Sequence, residues 1–170
     1  MTLTLRAFTL EDEREARAAH EELRRDDFNF LLDWNPNDPW RAYLARLERQ
    51  RLGVGLPAPL VASTLLAASV GDELVGRASI RHELNDFLLN YAGHIGYGVR
   101  PAYRRRGYAT EILTQALGVA RALGIDRVLL ACDEDNAASR RVIEAAGGVL
   151  EDVRAEPGAR GKPKRRYWIG

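Results

Sequence analysis

The sequence predicts an α/β fold, of the mixed α+β kind, in which a central mixed β-sheet is flanked by helices. The first reason is a hairpin, because two strand-like stretches, 63–70 and 74–80, are joined by Gly71-Asp72, a pair suited to a tight turn. The second reason is the succession of a strand, a helix and a strand between His94 and Cys132, which predicts a right-handed crossover and a locally parallel pair of strands. Antiparallel and parallel pairing together make the expected sheet mixed.

The composition favours one domain that spans 1–170. A chain of 170 residues with 46% hydrophobic residues is long enough to bury one core. The formal net charge of +1 favours neither nucleic acid nor an acidic substrate as a partner. The one cysteine, Cys132, excludes an internal disulfide and suits the reducing cytoplasm. We expect no membrane span, since no apolar run reaches about 18 residues, and no metal, since the histidines are scattered.

Caps and periodicity predict the elements of the N-terminal part. Thr9-x-x-Asp12 resembles a helix-capping pair, and the apolar stripe of the following helix includes His20, which we interpret as a packed histidine. Residues 26–39 mix aromatic side chains with turn formers and are expected to be an ordered, irregular connection. The remaining predictions here are a strand at 2–8, a second helix at 39–52 with proline in its first turn, and a loop at 53–59.

Periodicity also predicts the central helix, from about Gly107 to Leu123. Apolar residues three and four apart form its stripe: Ala109, Ile112, Leu113, Ala116, Leu117, Ala120 and Leu123. The segment 81–90, between the hairpin and the His94 strand, holds apolar residues expected to serve core or interface packing, with a wall of the acceptor pocket as the alternative. The predictions after the central helix are a buried strand at 127–132, a helix with Ser139, Val142, Ile143 and Ala146 on one face that ends at Gly147-Gly148, closing strands at 149–154 and 165–169, and a solvated loop at 156–164.

A basic turn lies between the His94 strand and the central helix. Its sequence is Arg104-Arg105-Arg106-Gly107-Tyr108-Ala109, and it leads directly into the helix N-terminus. Backbone N–H groups are unpaired at such a terminus, and the helix dipole places a charge of roughly +0.5 there. The arginines add charge-assisted donors. The turn is therefore a natural binding site for a phosphate.

The pattern Arg104-x-x-Gly107-x-Ala109 resembles the Q/R-x-x-G-x-G/A signature of the GNAT superfamily of N-acetyltransferases. The context is similar as well, with a strand before the turn, a helix after it, and Asn136-x-x-Ser139 on the next helix. The resemblance extends over about 63–148. It is greatest to a bacterial branch of predicted acetyltransferases that shares three motifs: Arg81-His82-x-Leu84-Asn85, Gly93-His94-Ile95-Gly96-Tyr97 and Arg166-Tyr167-Trp168-Ile169.

The resemblance implies a cytoplasmic GNAT-like enzyme that transfers an acetyl group directly from acetyl-CoA to a primary amine of a small molecule or protein, within a ternary complex. It implies that the basic turn binds the pyrophosphate of CoA through Arg104, Arg105, Arg106, Gly107, Tyr108 and Ala109. Tyr97, Gly98 and Val99 would pair with the pantetheine arm, and the Val99 N–H would stabilise the oxyanion. Asn136 and Ser139 would contact the same arm, although Asn136 is equally well explained as a helix cap.

The residues that would move protons depart from the family's usual pattern. Many GNAT enzymes place a tyrosine seven residues after the asparagine as general acid to the thiolate, and that position here is Ile143. The candidates for its role are Tyr97, Tyr103 and Tyr108, and departure of the thiolate without assistance is the alternative. For the base, His94 has a reference pKa of about 6.5 and lies about where some branches place a carboxylate. Glu83 is the second candidate, and a structural role for His94 stays open.

Two other classes of function stay open. The missing tyrosine allows a non-catalytic CoA-binding or regulatory module. A nucleic-acid-binding domain that uses the basic residues at 104–106 and 162–166 is disfavoured, because the arginines at 104–106 lie at a tight turn and the overall charge is near neutral. The acceptor amine is not specified, and four aromatic residues are candidates for its pocket or for the core: Phe28, Trp34, Trp40 and Tyr91. The apolar segment 87–89 and an exposed late strand would suit a homodimer.

Overall fold

The computed structural model describes residues 2–158 and 161–170 and contains two sheets, the first of which has the order β1-β2-β3-β4. Its strands are β1 at Leu3–Ala7, β2 at Ser63–Val70, β3 at Glu73–Arg81 and β4 at Ile95–Val99. β2 and β3 form the predicted hairpin, and Gly71 adopts the left-handed conformation that its turn needs, with a φ of 58°.

The second sheet has the order β5-β7-β6, with β5 at Val128–Asp133, β6 at Val149–Arg154 and β7 at Lys164–Ile169. The predicted loop at 156–164 joins β6 to β7, and its residues Ala159 and Arg160 lie outside the described part of the chain. All the ladders between these strands in both sheets are antiparallel.

Four α-helices accompany the sheets: α1 at Glu13–Arg24, α2 at Trp40–Leu52, α3 at Tyr108–Ala122 and α4 at Ala137–Ala145. Each lies within a few residues of its predicted range, because its cap or its apolar stripe is local in sequence. Leu123 of the predicted α3 stripe is exposed, since the helix ends one residue before it.

The two faces of the first sheet carry two cores. On one face, Ala78 and Ile80 of β3 pack with the buried stripe of α3, which includes Ile112 and Leu113. On the opposite face, residues of β2 pack with α1, α2 and the connection between the helices, around the buried Tyr43. The sheet is therefore covered on both sides, and the remaining edge of β4 is where the second sheet begins.

The predicted parallel pairing of β4 with β5 is wrong. In the part of the chain that the structure describes, the two strands belong to different hydrogen-bonded sheets. Their backbones are joined near the beginnings of the strands, through an isolated bridge between Gly93 and Leu130 and a 2.7 Å bond from the His94 amide to the Leu129 carbonyl. Gly93 has a φ of 78°, and a Cβ there would lie 2.4 Å from the Leu129 carbonyl oxygen. The close approach at this glycine joins the sheets without a ladder beyond it.

The segment before β4 contains a π-helical turn at Leu88–Ala92, closed by a 2.6 Å bond from the Gly93 amide to the Leu88 carbonyl. Leu88 is buried, whereas Phe87 and Leu89 are exposed. Of the three consecutive apolar residues at 87–89, one therefore serves the core and two lie on the surface.

An arginine beyond the end of β4 fixes α1 against the first sheet. Arg100 is buried, and its guanidinium bonds the carboxylates of Glu22 at 2.7 Å and Glu15 at 2.8 Å. It also donates to the Leu74 carbonyl of β3 at 2.9 Å. Hydrogen bonds with both glutamates raise the pKa of Arg100, and these charge-assisted bonds hold the end of α1 beside the end of β4.

Candidate active site

A cleft of about 570 Å³ opens beside the end of β4. Its walls are β4 with the turn after it, the first turn of α3, the first half of α4, and the end of α1 with the connection that follows. Ten of the eleven predicted cofactor-binding residues line it: Tyr97, Gly98, Val99, Arg104, Arg105, Gly107, Tyr108, Ala109, Asn136 and Ser139. The fold therefore brings together two motifs that are distant in sequence.

The edge of β4 that faces away from β3 has backbone groups available to a ligand. The backbone amide of Arg81 donates to the His94 carbonyl at 2.7 Å and that of Arg100 donates to the Val75 carbonyl at 2.8 Å, which sets the alternation of bonds between β3 and β4. By that alternation, the amides of Tyr97 and Val99 point away from β3. These are the amides that an extended ligand in the cleft would meet.

The turn after β4 leads into α3 through two residues in the left-handed conformation. Arg105 has a φ of 63°, and Gly107, the N-cap of α3, has a φ of 81°. Among the residues that the structure describes, none other than the two chain neighbours has a heavy atom within 4 Å of the position that a Cβ would occupy at Gly107. The amides of the first turn of α3, from Tyr108 to Thr110, follow directly on this open surface.

The arginines of the turn have different partners. Arg104 donates to Asp26, at the end of α1, at 2.8 Å and to the Val99 carbonyl at 3.2 Å. Arg106 donates to the Ala102 carbonyl at 3.3 Å, and its guanidinium lies 5.6 Å from the ring centroid of Tyr103. Arg106 is the one predicted cofactor-binding residue outside the lining of the cleft, and Arg105 contributes to that lining.

Asn136 and Ser139 are joined at the start of α4. The Asn136 side chain accepts a hydrogen bond from the Ser139 amide at 3.1 Å, so the predicted helix cap is confirmed. The Ser139 hydroxyl lies 2.7 Å from the Tyr97 hydroxyl, which links α4 to β4. Burial raises the pKa of Tyr97 to about 12, so the phenol keeps its proton at neutral pH.

His94 lies immediately before β4 and is buried, and it is absent from the lining of the cleft. Its Nδ1 accepts a hydrogen bond from the Leu129 amide at 2.9 Å. Burial lowers the pKa of His94, and the nearby positive charge of Arg81 acts in the same direction. The ring is therefore neutral at pH 7, with its proton on Nε2.

Glu83 is exposed, follows β3 by two residues, and is also absent from the lining of the cleft. Its neighbour His82 lies 2.7 Å from the Thr64 hydroxyl through Nε2. Neither predicted base thus lies on the cleft wall, and the assignment of the base stays a prediction.

The four aromatic candidates for the acceptor pocket differ in location, and one of them lines the cleft. Phe28 lines the cleft, and a Cβ at Gly98 would lie 2.6 Å from its ring. Trp40 is buried in the core and donates to the Thr9 carbonyl at 2.9 Å. Trp34 packs against His20, and Tyr91 packs against Phe87, both away from the cleft.

The sequence analysis missed the contribution of the end of α1 and its connection. Leu23 and Asp26 line the cleft, and Asp26 pairs with Arg104 across 78 positions of sequence. An aspartate in an irregular, charge-rich stretch carries no local signal for such a role.

Within residues 2–158 and 161–170, no group of three or more His, Cys, Asp or Glu side chains is arranged to hold a metal ion. In the same part of the chain, no helix combines the length and the apolar character needed to cross a membrane.

The fold is similar to those of several solved acetyltransferase structures. YncA from Salmonella typhimurium, with its cofactor acetyl-CoA, has a TM-score of 0.67 at 18% identity, and the alignment covers 99% of this chain and 94% of that chain. Spermidine N-acetyltransferase from Vibrio cholerae, in complex with CoA and spermine, has a TM-score of 0.67 at 18% identity, with coverage of 98% and 94%. RimJ from Mycobacterium smegmatis, in complex with CoA-disulfide, has a TM-score of 0.71 at 17% identity, with coverage of 98% and 81%. The predicted GNAT-like α/β fold is confirmed.

No curated protein sequence matches this chain. A model of the acetyltransferase (GNAT) domain, in contrast, matches residues 2–149. That range includes the whole lining of the cleft, from Leu23 to Val142. The chain therefore belongs to the GNAT family of acetyltransferases.

Proposed function

We propose that this chain transfers the acetyl group of acetyl-CoA directly to a primary amine of a small molecule or protein, within a ternary complex, and that one domain, 1–170, suffices. The observation that carries the proposal is that backbone N–H donors of a strand edge and of a helix N-terminus lie together in one cleft. The free edge of β4 leads, through one turn, to the N-terminus of α3. The complexes of YncA with acetyl-CoA and of the Vibrio cholerae enzyme with CoA support the choice of cofactor.

The pyrophosphate of CoA would bind at the first turn of α3. The amides of Tyr108 and Ala109 provide donors there, and the helix dipole favours an anion. Gly107 leaves open space for the phosphates to approach the backbone, and Arg105 supplies positive charge beside it. Arg104 and Arg106 support the turn through their own contacts with Asp26 and the Ala102 carbonyl.

The pantetheine arm would run along β4, where the outward-facing Tyr97 and Val99 amides offer strand-like pairing beside Gly98. The Val99 N–H is the donor that we assign to the oxyanion of the tetrahedral intermediate. Asn136 and Ser139 on α4 form the opposite wall of the same channel. Both sides of the arm are thus bounded by residues with polar atoms.

Tyr97 is the proton donor that we propose for the departing CoA thiolate. Tyr103 and Tyr108 flank the turn that would hold the pyrophosphate, whereas Tyr97 belongs to β4, nearer the acetyl end. The Ser139 hydroxyl orients the Tyr97 phenol at 2.7 Å. Because its pKa is about 12, Tyr97 is protonated when the thiolate forms. Tyr97 thus takes the role that Ile143 cannot perform.

The base that accepts the proton of the amine is proposed to be His94 or Glu83. His94 lies at the beginning of β4, toward the acetyl end, but its Nδ1 lone pair is engaged by the Leu129 amide. Glu83 is exposed beside the end of β3. The pH dependence of turnover in variants of the two residues distinguishes these candidates.

The proposal is tested by mixing the protein with acetyl-CoA and a panel of amines while free thiol is recorded. We expect thiol release that depends on the acceptor, with an N-acetylated product of matching mass. Binding of acetyl-CoA without turnover on any amine would favour the non-catalytic module, which the Ile143 substitution allows. Absence of acetyl-CoA binding would contradict both functions.

We also propose a cytoplasmic location and a homodimer. Cys132 is a buried free thiol, which suits a reducing compartment. Phe87 and Leu89 are exposed near the start of β4, and β6, an edge strand, exposes Val149 and Val153. Sedimentation equilibrium tests self-association, and a monomer at all concentrations would exclude the dimer.

A further inference from the structure

One face of β3 carries two arginines that converge on β4. Side chains alternate across a strand, so Arg77 and Arg81 lie on the face opposite Ala78 and Ile80, which belong to the α3 core. A Cβ at Gly96 would lie 3.4 Å from Nη1 of Arg81 and 3.5 Å from Nη1 of Arg77. The two guanidinium groups therefore meet over the backbone of Gly96.

Arg77 uses its donors within the protein. Its Nε and Nη2 donate to the carbonyls of Phe30 at 3.2 Å and Asn29 at 2.8 Å, and its Nη1 donates to the Gly96 carbonyl at 3.2 Å. The guanidinium also lies 4.4 Å from the ring centroid of Phe28. Arg77 is thus a structural clamp between the α1–α2 connection and β4.

Arg81 has no such partners. Within residues 2–158 and 161–170, its guanidinium makes neither a side-chain hydrogen bond nor an ion pair, although the side chain is partly buried. Burial lowers the pKa of Arg81, and no carboxylate of the described chain offsets that effect. A guanidinium keeps its charge and carries five N–H donors, so its partial burial without a partner carries a cost in free energy. An anion beside Arg81 would remove that cost.

Under the proposed function, Arg81 lies on the side of the cleft where the acceptor would bind. With the pyrophosphate at α3 and the acetyl carbonyl at the Val99 amide, the space left for the acceptor lies toward the beginning of β4. Gly96 precedes the cleft-lining Tyr97 by one residue and lies about 10 Å from Val99 along the strand. Arg81 does not itself line the cleft but lies beyond its end, on the side of the α1–α2 connection, where a group of the acceptor that extends from the attacking nitrogen toward Gly96 would meet it.

We propose that the acceptor is an amine that also carries a carboxylate, as an amino acid or a small amino-acid derivative does, and that Arg81 binds this carboxylate. The inference rests on the proposed acetyl transfer. The planar fork of an arginine matches a carboxylate in a bidentate pair, which would fix the distance between the carboxylate and the attacking nitrogen.

The same charges disfavour two other acceptors. A polyamine such as spermidine would bring several positive charges to a place where two guanidinium groups already lie together. A phosphorylated amine carries up to two negative charges, of which one guanidinium balances one, and Arg77 is already bonded to three carbonyls. A carboxylate, with one negative charge, is the anion whose charge Arg81 alone balances.

The test compares an α-amino acid with its carboxamide, its aminophosphonate analogue and spermidine as acceptors, for the wild type and for Arg81→Gln. We expect the wild type to prefer the carboxylate. In Arg81→Gln, the KM for the amino acid should rise about tenfold or more, and its advantage over the carboxamide should disappear. The KM for acetyl-CoA should stay unchanged. Arg121→Gln, at an exposed position near the end of α3, is the matched control and should behave as the wild type.

Circular dichroism and thermal unfolding show whether Arg81→Gln is folded, and Arg81→Lys, which keeps the charge but not the fork, should recover part of the preference. Preference of the wild type for spermidine, the carboxamide or the aminophosphonate would overturn the inference, as would an unchanged preference in Arg81→Gln. Calorimetric titration of the amino acid into the CoA-loaded proteins separates the two proposals. Arg81-dependent binding without turnover would contradict acetyl transfer but keep the carboxylate site, whereas turnover without dependence on Arg81 would do the reverse.

Discussion

The two ring nitrogens of His94 have different hydrogen-bonding roles. Nδ1 accepts a hydrogen bond from the Leu129 amide, so a neutral ring carries its proton on Nε2. An incoming proton must therefore displace the Leu129 amide from Nδ1, and burial opposes the charge that results. If His94 is the base, its reaction is coupled to the contact that joins the two sheets.

For the base, we predict that His94→Gln lowers turnover at least about tenfold, leaves acetyl-CoA binding nearly unchanged and flattens the acidic limb of the pH–rate profile. The lowered pKa of His94 puts that limb below about pH 6.5. The comparison is Glu83→Gln under the same conditions. Wild-type turnover in His94→Gln with loss of turnover in Glu83→Gln would assign the base to Glu83 and make the histidine structural.

For the thiolate donor, we predict that Tyr97→Phe reduces kcat at least about tenfold, because the variant removes one hydroxyl and keeps the ring. The KM for acetyl-CoA should change little. Tyr103→Phe is the matched control, since Tyr103 also lines the cleft but belongs to the turn. A kcat in Tyr97→Phe equal to that of the wild type would mean that the thiolate departs without Tyr97.

The sequence predicts poorly the role of a residue whose hydrogen-bond partner is distant along the chain. The cap at Asn136 was predictable because the donor to its side chain, the Ser139 amide, is three positions away. The pairs of Arg104 with Asp26 and of Arg100 with Glu22 span 78 positions each, and neither charge pattern is local. The tertiary fold alone decides which carboxylate each arginine meets.

At the scale of elements, the junction of β4 with α3 is the most distinctive feature. Its conformation depends on Gly107, whose φ of 81° is rare for residues with a side chain. The space around it is open, so the glycine serves backbone conformation and access rather than packing.

We predict that Gly107→Glu abolishes CoA binding, because it adds a negative charge where the pyrophosphate must approach the first turn of α3. Gly107→Ala is the control, since it imposes the same backbone strain without the charge and should bind CoA more tightly than the glutamate variant. Calorimetry measures both affinities, and circular dichroism verifies folding. Unchanged CoA affinity in a folded Gly107→Glu protein would contradict the location of the phosphate site.

Elements with local signals were predictable, and junctions between elements were not. The range of β2 agrees with the structure because a turn pair and strand-like flanks specify the hairpin. The π-helical turn at Leu88–Ala92 was missed, since its apolar residues fit a helix or a packed loop equally well. The pairing of β4 with β5 was predicted incorrectly because general rules of strand topology do not take account of the close approach between the backbones of Gly93 and Leu129.

At the scale of the whole molecule, burial affects all three histidines in the same direction. It lowers the pKa of His20, His82 and His94 below their ordinary value. As the pH falls below about 6.5, the unfolded chain therefore takes up protons before the folded protein does. The free energy of unfolding must decrease over that range.

We predict a lower midpoint of urea unfolding at pH 5.5 than at pH 7.5, with an unchanged m-value. His94→Gln should reduce the difference between the two midpoints, because it removes one of the three contributions. Further loss is expected below about pH 4, where Glu15 and Glu22, whose pKa values are lowered by hydrogen bonds with Arg100, take up protons. Equal or greater stability at pH 5.5 would show that the histidines do not govern this range.

The two glycines of β4 differ in the space available for a side chain, and this difference matters for redesign of the enzyme. A side chain at Gly98 would collide with the ring of Phe28, at 2.6 Å, and would displace a wall of the cleft. A methyl group at Gly96 would meet the flexible ends of two guanidinium groups, at 3.4 and 3.5 Å. A library meant to alter the choice of acceptor should therefore vary position 96 together with Arg81 and keep glycine at 98.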